Sequence, residues 1–349
     1  PSWQQWPEDL KKRSKSSLAS VREKHSDALL HYAIEQFWFH SQWATLKQRA
    51  SKLGIGLIGD LPIFVSDASA DVWSHTRFFH LGKDCRPTVV AGCPPDMFNK
   101  DGQLWGNALY DWHELKEDRY SWWIQRLASA LNLFDAVRLD HFIGFYRYWE
   151  IKAGEKTARR GQWKPVPGDD FFKVVTHSFK NPQFIAEDLG AVTPEIRALR
   201  DKYGFPGMKV AQFAFDGSEE AEHHMPHKLP KRSVAYTGTH DNDTTKGWYT
   251  SVQKKAKAHT KAAVSELARI GHYLDPSVQS VSWDLIRSTM ASQAAVTVFP
   301  IQDLLSQPGT ARMNVPGVAK GNWIYRVEKA KLSKDLAKDL AETSRIFSR

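Results

Sequence analysis

Cysteine is scarce. The 349 residues hold only Cys85 and Cys93, which excludes a disulfide scaffold and a cysteine-based zinc site and suits the reducing cytoplasm. No long uninterrupted apolar run is present, so a membrane-spanning helix is not expected. The opening stretch Trp3–Ser20 is polar and basic and lacks the apolar core of a secretion signal. No glycine-rich phosphate loop follows a strand pattern, and no serine sits in a Gly-x-Ser-x-Gly elbow, which argues against phosphoryl transfer and α/β-hydrolase chemistry. The first residue is Pro1 rather than Met, which raises the expectation that this is part of a longer protein.

The composition itself is that of a folded globular chain, with 42% hydrophobic and 25% charged residues. The formal net charge of +9 brings nucleic acid to mind as a partner. Yet the basic groups fall in short separate runs: Lys11-Lys12-Arg13, Lys228 to Arg232, Lys254 to Lys261, and the tail from Lys329. No zinc-finger, RNA-recognition or helix-turn-helix pattern accompanies them, and they read as solvated faces. Neither nucleic acid nor a membrane is expected as a partner.

Hydrophobic spacing predicts an alternating helix–strand chain. From Leu29 to Ala50 apolar residues recur at helical spacing (Leu30, Ile34, Phe37, Phe39, Trp43, Leu46), and the run Leu53 to Asp60 reads as a buried strand. The unit repeats as a helix over Tyr120–Leu131 with a strand over Phe134–Asp140, and as a helix over Phe171–Phe179 with a strand over Gln183–Glu187. Thr193-Pro194-Glu195 reads as a helix start with a threonine cap and proline in the first turn. Further strands are expected at Met208–Phe215, Ser233–Thr237 and Ala294–Phe299, and a terminal helix at Leu332, Leu336 and Leu340. Helix–strand alternation is the signature of a parallel α/β sheet.

Three of these strands end in an acid, Asp60, Asp140 and Glu187, and a fourth leads into His240-Asp241-Asn242-Asp243. A single acid there is usually a cap or a surface ion pair. In a (β/α)₈ barrel, however, the strand carboxyl ends open onto one face, so four acids in this position converge on one pocket. Converging carboxylates suit glycoside chemistry, which needs two of them around the bond to be broken. The 14 Trp, 10 Tyr and 18 Phe suit sugar-stacking platforms, though core packing accounts for most of them equally well.

The residues themselves carry a resemblance. Ile58-Gly59-Asp60-Leu61-Pro62-Ile63-Phe64-Val65 through Ser69-Ala70-Asp71-Val72-Trp73 is similar to the amylomaltase family of 4-α-glucanotransferases, the disproportionating enzymes. So are Pro94-Pro95-Asp96, Gly102-Gln103-Leu104-Trp105-Gly106-Asn107, Arg138-Leu139-Asp140-His141-Phe142 and Ala186-Glu187-Asp188-Leu189-Gly190. Phe205-Pro206-Gly207-Met208-Lys209 and Thr237-Gly238-Thr239-His240-Asp241-Asn242-Asp243 complete the set, which spans about Tyr32 to Arg326. Ala108 stands where the family commonly has Pro, and Cys85 and Cys93 replace more usual residues.

The resemblance implies an α/β fold, a (β/α)₈ TIM barrel of the α-amylase type with insertions between strands, and retaining transfer of 1,4-α-glucan segments. By that match Asp140 is the nucleophile, Glu187 the general acid/base and Asp241 the third carboxylate, which grips the donor sugar. Asp60, Trp105, Asn107, Arg138 and His240 match substrate-binding positions. Arg138 falls two residues before Asp140, on the same strand face, and should hold that carboxylate ionised. Glu187 must be pushed up to carry its proton near neutrality. The stretch Cys93 to Asn107 is expected to wall water out of the site. No cofactor and no metal is implied, and His223, His224 and His227 read as a solvated loop. The implied partners are maltooligosaccharides and α-1,4-glucans, and the implied location is cytoplasmic.

Six barrel strands are countable rather than eight, so the first two are expected to be missing from this stretch. The expected organisation is a basic extension over 1–28, a catalytic barrel over 29–326 with an insertion at about 62–118, and a C-terminal helix over 327–349. Open sheet edges lead to the expectation that this chain alone is poorly soluble and weakly active. An α-glucan hydrolase on the same barrel and an inactive glucan-binding fragment are the competing readings.

Overall fold

A computed structural model describes residues 2–95, 99–275, 280–318 and 320–349. The chain divides into two units, 1–205 and 206–349. Seven strands belong to the first: β1 (Ile58–Leu61), β2 (Val89–Cys93), β3 (Gln103–Ala108), β4 (Ala136–Leu139), β5 (Arg147–Lys152), β6 (Gly161–Pro165) and β7 (Phe184–Ala186). Three belong to the second: β8 (Gly207–Val210), β9 (Ser233–Tyr236) and β10 (Val296–Val298).

In the first unit β1 pairs in parallel with β4, and β4 with β7. The register sets Asp60 beside Arg138 and Leu139 beside Ala186, so the carboxyl ends of these strands are level. That is why Asp140 and Glu187, each the next residue after its strand, emerge side by side. The helix Ser121–Leu133 precedes β4, and the helix Gly168–Ser178 precedes β7, as the spacing predicts. Gly59 is required where it stands: a Cβ there would lie 2.0 Å from the Phe134 ring.

The helix Ser26–Lys52 contains neither proline nor glycine and ends in a Schellman motif. Gly54, at φ +72°, donates to the Ser51 carbonyl, and Ile55 donates to that of Ala50. Its expected core-facing stripe is corrected by the structure. Leu30, Phe37, Phe39 and Leu46 are at least half exposed. Only the last turns dock, through Trp43, whose Nε1 donates to the Leu133 carbonyl, and through buried Ala50. Among the described residues nothing covers the rest of that face. β1 likewise is not the fully buried strand expected, since Ile58 is 49% exposed.

A second sheet of four antiparallel strands, in the order β3-β2-β5-β6, was not foreseen. Its strands are short and mix Gly, Trp and charged residues, so no clean alternation marks them. Beneath it lies an aromatic core that includes Tyr110, Trp112, Tyr120, Trp123, Phe142, Phe145, Phe171 and Phe172. Much of the aromatic content is therefore packing, held by edge-on and offset ring contacts.

In the second unit β8 pairs in parallel with β9, and β9 with β10. The strand expected over Met208–Phe215 stops at Val210 and gives way to a 3₁₀ turn over Ala211–Phe215. Helices Thr245–Lys257, Lys261–Tyr273 and Val281–Met290 intervene before β10. The terminal helix runs over Lys334–Ile346, with Leu336 and Leu340 half-buried and Leu332 exposed just before it. The histidine cluster is not a solvated loop throughout: His224 is buried and its Nδ1 accepts from the Val210 N–H, while His227 bonds the Tyr273 hydroxyl.

Candidate active site

In the first unit one guanidinium organises the acids. Arg138 lies on β4 with a side chain only 12% exposed. Its Nε and Nη2 donate to the two oxygens of Asp60 at 2.8 and 2.7 Å, and Nη2 also donates to Asp140 Oδ1 at 3.0 Å. A planar fork meets a carboxylate in this two-point way and a lysine cannot. Burial opposes the charge on Arg138, but the bonds to Asp60 and the fields of Asp60 and Asp140 more than compensate, so it stays cationic.

Glu187 is held differently. Its backbone is fixed on both sides, donating to the Leu139 carbonyl and accepting from the Phe142 N–H. Its Oε2 accepts from the His141 N–H at 2.8 Å. Burial first, and the neighbouring Asp140 charge second, push its carboxyl well above the usual range, while Arg138 and the His141 N–H pull the other way. The result is two neighbouring carboxyl groups in contrasting surroundings, Asp140 bonded to a cation and Glu187 biased toward its protonated form. That contrast is what a nucleophile and a proton donor require.

His141 was not singled out from the sequence. It adopts φ +47°, rare for a residue with a side chain, and this turns its N–H toward Glu187. Its ring meets Trp105 edge-on at 4.9 Å, and burial holds the imidazole down to about 4, so it adds no charge near neutral pH. Trp105, on β3 and 36% exposed, is thereby brought next to the Asp140–Phe142 turn. Asn107 lies on the same strand and is half-buried. Among the described residues no hydrogen bond joins it to either carboxylate. Of the expected water-excluding stretch, β2 and β3 form an antiparallel pair, and Asp96 lies outside the described residues.

The second unit carries His240 and Asp241 on the loop after β9, with His240 Nε2 3.5 Å from Asp241 Oδ2. A segment missed in the sequence grips them. Asn314 donates its side-chain N–H to Asp241 Oδ1 at 2.5 Å and its backbone N–H to the His240 carbonyl at 3.1 Å, while Arg312 donates to the Asp241 carbonyl at 2.5 Å. Trp323, 61% exposed, lies 5.2 Å from the His240 ring. The polar pair Arg312 and Asn314 before Pro316-Gly317 was the available signal, but no strand pattern placed it.

A family model described as 4-alpha-glucanotransferase matches residues 1–332. The 4-alpha-glucanotransferase of Thermus thermophilus is 45% identical over 333 residues, 95% of this chain and 66% of its own length. A chloroplastic/amyloplastic 4-alpha-glucanotransferase of Solanum tuberosum is 38% identical over 326 residues, 93% of this chain and 55% of its own. Among solved structures, an amylomaltase from Streptococcus agalactiae in complex with acarbose matches with a TM-score of 0.93 at 35% identity, covering 100% of this chain and 69% of that one. This likeness makes the fold the α/β barrel type that the sequence predicts. The chain spans between about half and two thirds of the length of these curated relatives. On the extent of these matches, the chain belongs to the 4-alpha-glucanotransferase family.

Proposed function

We propose that this chain transfers segments of a 1,4-α-glucan to the 4-hydroxyl of glucose or another glucan, with retention, through a covalent glycosyl-enzyme on Asp140. The observation that carries this is the contrast between Asp140, bonded to Arg138, and Glu187, raised by burial beside it. In the first step an Asp140 oxygen attacks the anomeric carbon while Glu187 gives its proton to the departing glycosidic oxygen. Esterification removes the Asp140 charge that helps hold the Glu187 proton, so Glu187 becomes more acidic and, left deprotonated, can serve as the base. In the second step Glu187 takes the proton of the acceptor 4-hydroxyl, whose oxygen attacks the anomeric carbon and releases Asp140. A retaining site of this kind holds its two carboxyl groups about 5–5.5 Å apart.

Asp241, steadied by Asn314, grips donor-sugar hydroxyls in this reading, with His240 beside it. Asp60, Arg138, Trp105 and Asn107 complete the sugar contacts, and Trp105 with its strand walls water from the intermediate. Residues 29–326, with the insertion at about 62–118, then form the catalytic body, 1–28 an extension and 327–349 an appended helix. The scarcity of cysteine, with only Cys85 and Cys93 in the chain, fits a cytoplasmic setting. Among the described residues no helix is long and apolar enough to cross a membrane. Incubation with maltotriose tests the reading: glucose together with maltopentaose and longer chains is the expected product set. Glucose and maltose alone would assign a hydrolase, and binding without conversion a glucan-binding fragment.

A further inference from the structure

The deepest acid of the second unit has no part in the scheme above. Asp303, 1% exposed, lies in the short helix Ile301–Leu304 that follows β10. One oxygen accepts from the Thr237 hydroxyl at 2.6 Å and from the Thr245 hydroxyl at 2.8 Å, and the other accepts from the Thr245 N–H at 2.7 Å. Thr237 is the residue after β9, and Thr245 opens the helix Thr245–Lys257. The seven residues between them include His240 and Asp241. One buried carboxylate therefore closes the base of the loop that carries the third acid.

Its neighbour works on the opposite side. Gln302, 6% exposed, donates to the Ala311 carbonyl at 3.2 Å, immediately before the Arg312–Asn314 run that bonds Asp241. Both segments that fix Asp241 are thus tied to adjacent residues of one buried turn. An acid buried this deeply is costly unless each oxygen finds donors, and all three donors here come from the two ends of one loop.

We propose that Gln302 and Asp303 are positioning residues that set the Asp241 carboxylate, acting through Thr237 and Thr245 on one side and the Ala311–Asn314 segment on the other. This rests on the role given to Asp241 above. A 2.6 Å bond leaves no slack, so releasing the loop base lets Asp241 wander by more than the sub-ångström tolerance of a catalytic group.

The test is a double-mutant cycle on the full chain, with maltotriosyl fluoride as donor and fluoride release as the signal. Asp303→Asn, which preserves volume but replaces an acceptor with a donor, is expected to lower kcat at least tenfold with KM within threefold. In an Asp241→Asn background the same change is expected to cost less than twofold, because residues acting as a unit are not additive. Thr237→Val is expected to reproduce the loss in part, and Thr237→Ser to restore it. An equal loss in both backgrounds would make Asp303 a general structural residue and overturn the proposal, as would unchanged turnover in Asp303→Asn. Undiminished turnover in Asp241→Asn alone would instead remove the reading of Asp241, and the proposal with it. Amide exchange over 238–244 reads the same device without turnover: faster exchange confined to that loop in Asp303→Asn is expected, and unaltered exchange refutes it.

Discussion

Replacing Arg138 by Met keeps the apolar stem of the side chain and deletes the fork. Among the described residues the change removes three charged hydrogen bonds, two to Asp60 and one to Asp140. At about 1.5–3 kcal/mol each they would sum to well above 4 kcal/mol. The Asp60 and Asp140 side chains are 45% and 37% exposed, however, so water takes over much of their solvation and the expected loss of stability is about 2–3 kcal/mol. The second effect has a fixed sign. Arg138 pulls the Glu187 carboxyl down against burial and Asp140, so without the cation Glu187 must titrate at still higher pH. Arg138→Lys, which keeps the charge and loses the fork, should lose stability but leave the Glu187 titration close to that of the parent. Urea unfolding measures the first effect. A ¹³C carboxyl titration, with the Glu187 signal identified by its loss in Glu187→Gln, measures the second. A Glu187 titration that stays put or moves down in a folded Arg138→Met chain would refute the electrostatic assignment.

Glu187→Gln should slow natural glucans strongly but a glycosyl fluoride far less, since fluoride leaves without a proton; equal losses on both donors would remove Glu187 as the acid. The same variant carries a stability signature. A carboxyl raised in the folded state gives stability that is full below its unfolded pKa and is lost as pH rises through the folded one. Urea unfolding of Glu187→Gln minus the parent should therefore show a gap that opens above about pH 4.5 at up to about 1.4 kcal/mol per pH unit and then levels off. A gap that shrinks with rising pH would contradict the burial. Gly59→Ala should cost about 1–3 kcal/mol in the same assay, because the new methyl meets the Phe134 ring, itself packed on Trp43 at 5.6 Å. Light scattering should show self-association of the chain through the helix Ser26–Lys52, relieved by Phe37→Glu with Trp38→Glu, residues 67% and 58% exposed. Unchanged association would clear that face.

What the sequence made legible was what repeats or bears charge. Helix–strand alternation located β1, β4, β7, β9 and β10 to within a few residues, because buried parallel strands are short apolar runs and their helices keep a 3.6-residue stripe. The acids at their ends followed from counting. Apolar spacing, by contrast, says which face of a helix wants cover and never whether cover is there, which is why the stripe from Leu30 to Leu46 proved open to solvent. The antiparallel β2, β3 and β6 were hidden because Gly92, Gly106 and Gly161 interrupt any alternation, and β5 because its buried residues, Tyr148 and Ile151, fall three apart rather than two. Gly92, for one, is there because a Cβ would lie 2.3 Å from the Gln103 carbonyl oxygen across the pair. That is information about a neighbour eleven residues away, which no local window contains.

The least legible feature concerns the chemistry most closely. A histidine after the Arg138–Asp140 run suggests a side-chain role, yet its ring is held neutral by burial, and the atom that reaches Glu187 is a backbone nitrogen. Any residue has that N–H; what differs is the φ of +47° that aims it, a conformation costing about 1–3 kcal/mol in a residue other than glycine. The ring explains how the strain is sustained, since its contacts with Trp105 at 4.9 Å and Phe64 at 6.5 Å hold the residue in a geometry the backbone alone would leave. The side chain is thus a wedge and the main chain the functional group. Glu187 is consequently tuned by burial and the Asp140 charge in one direction, and by a cation on one strand and an amide dipole in one strained turn in the other. Arg138 stays cationic and the amide cannot titrate, so in the proposed cycle the change in Glu187 proton affinity comes from Asp140 as it loses its charge on esterification.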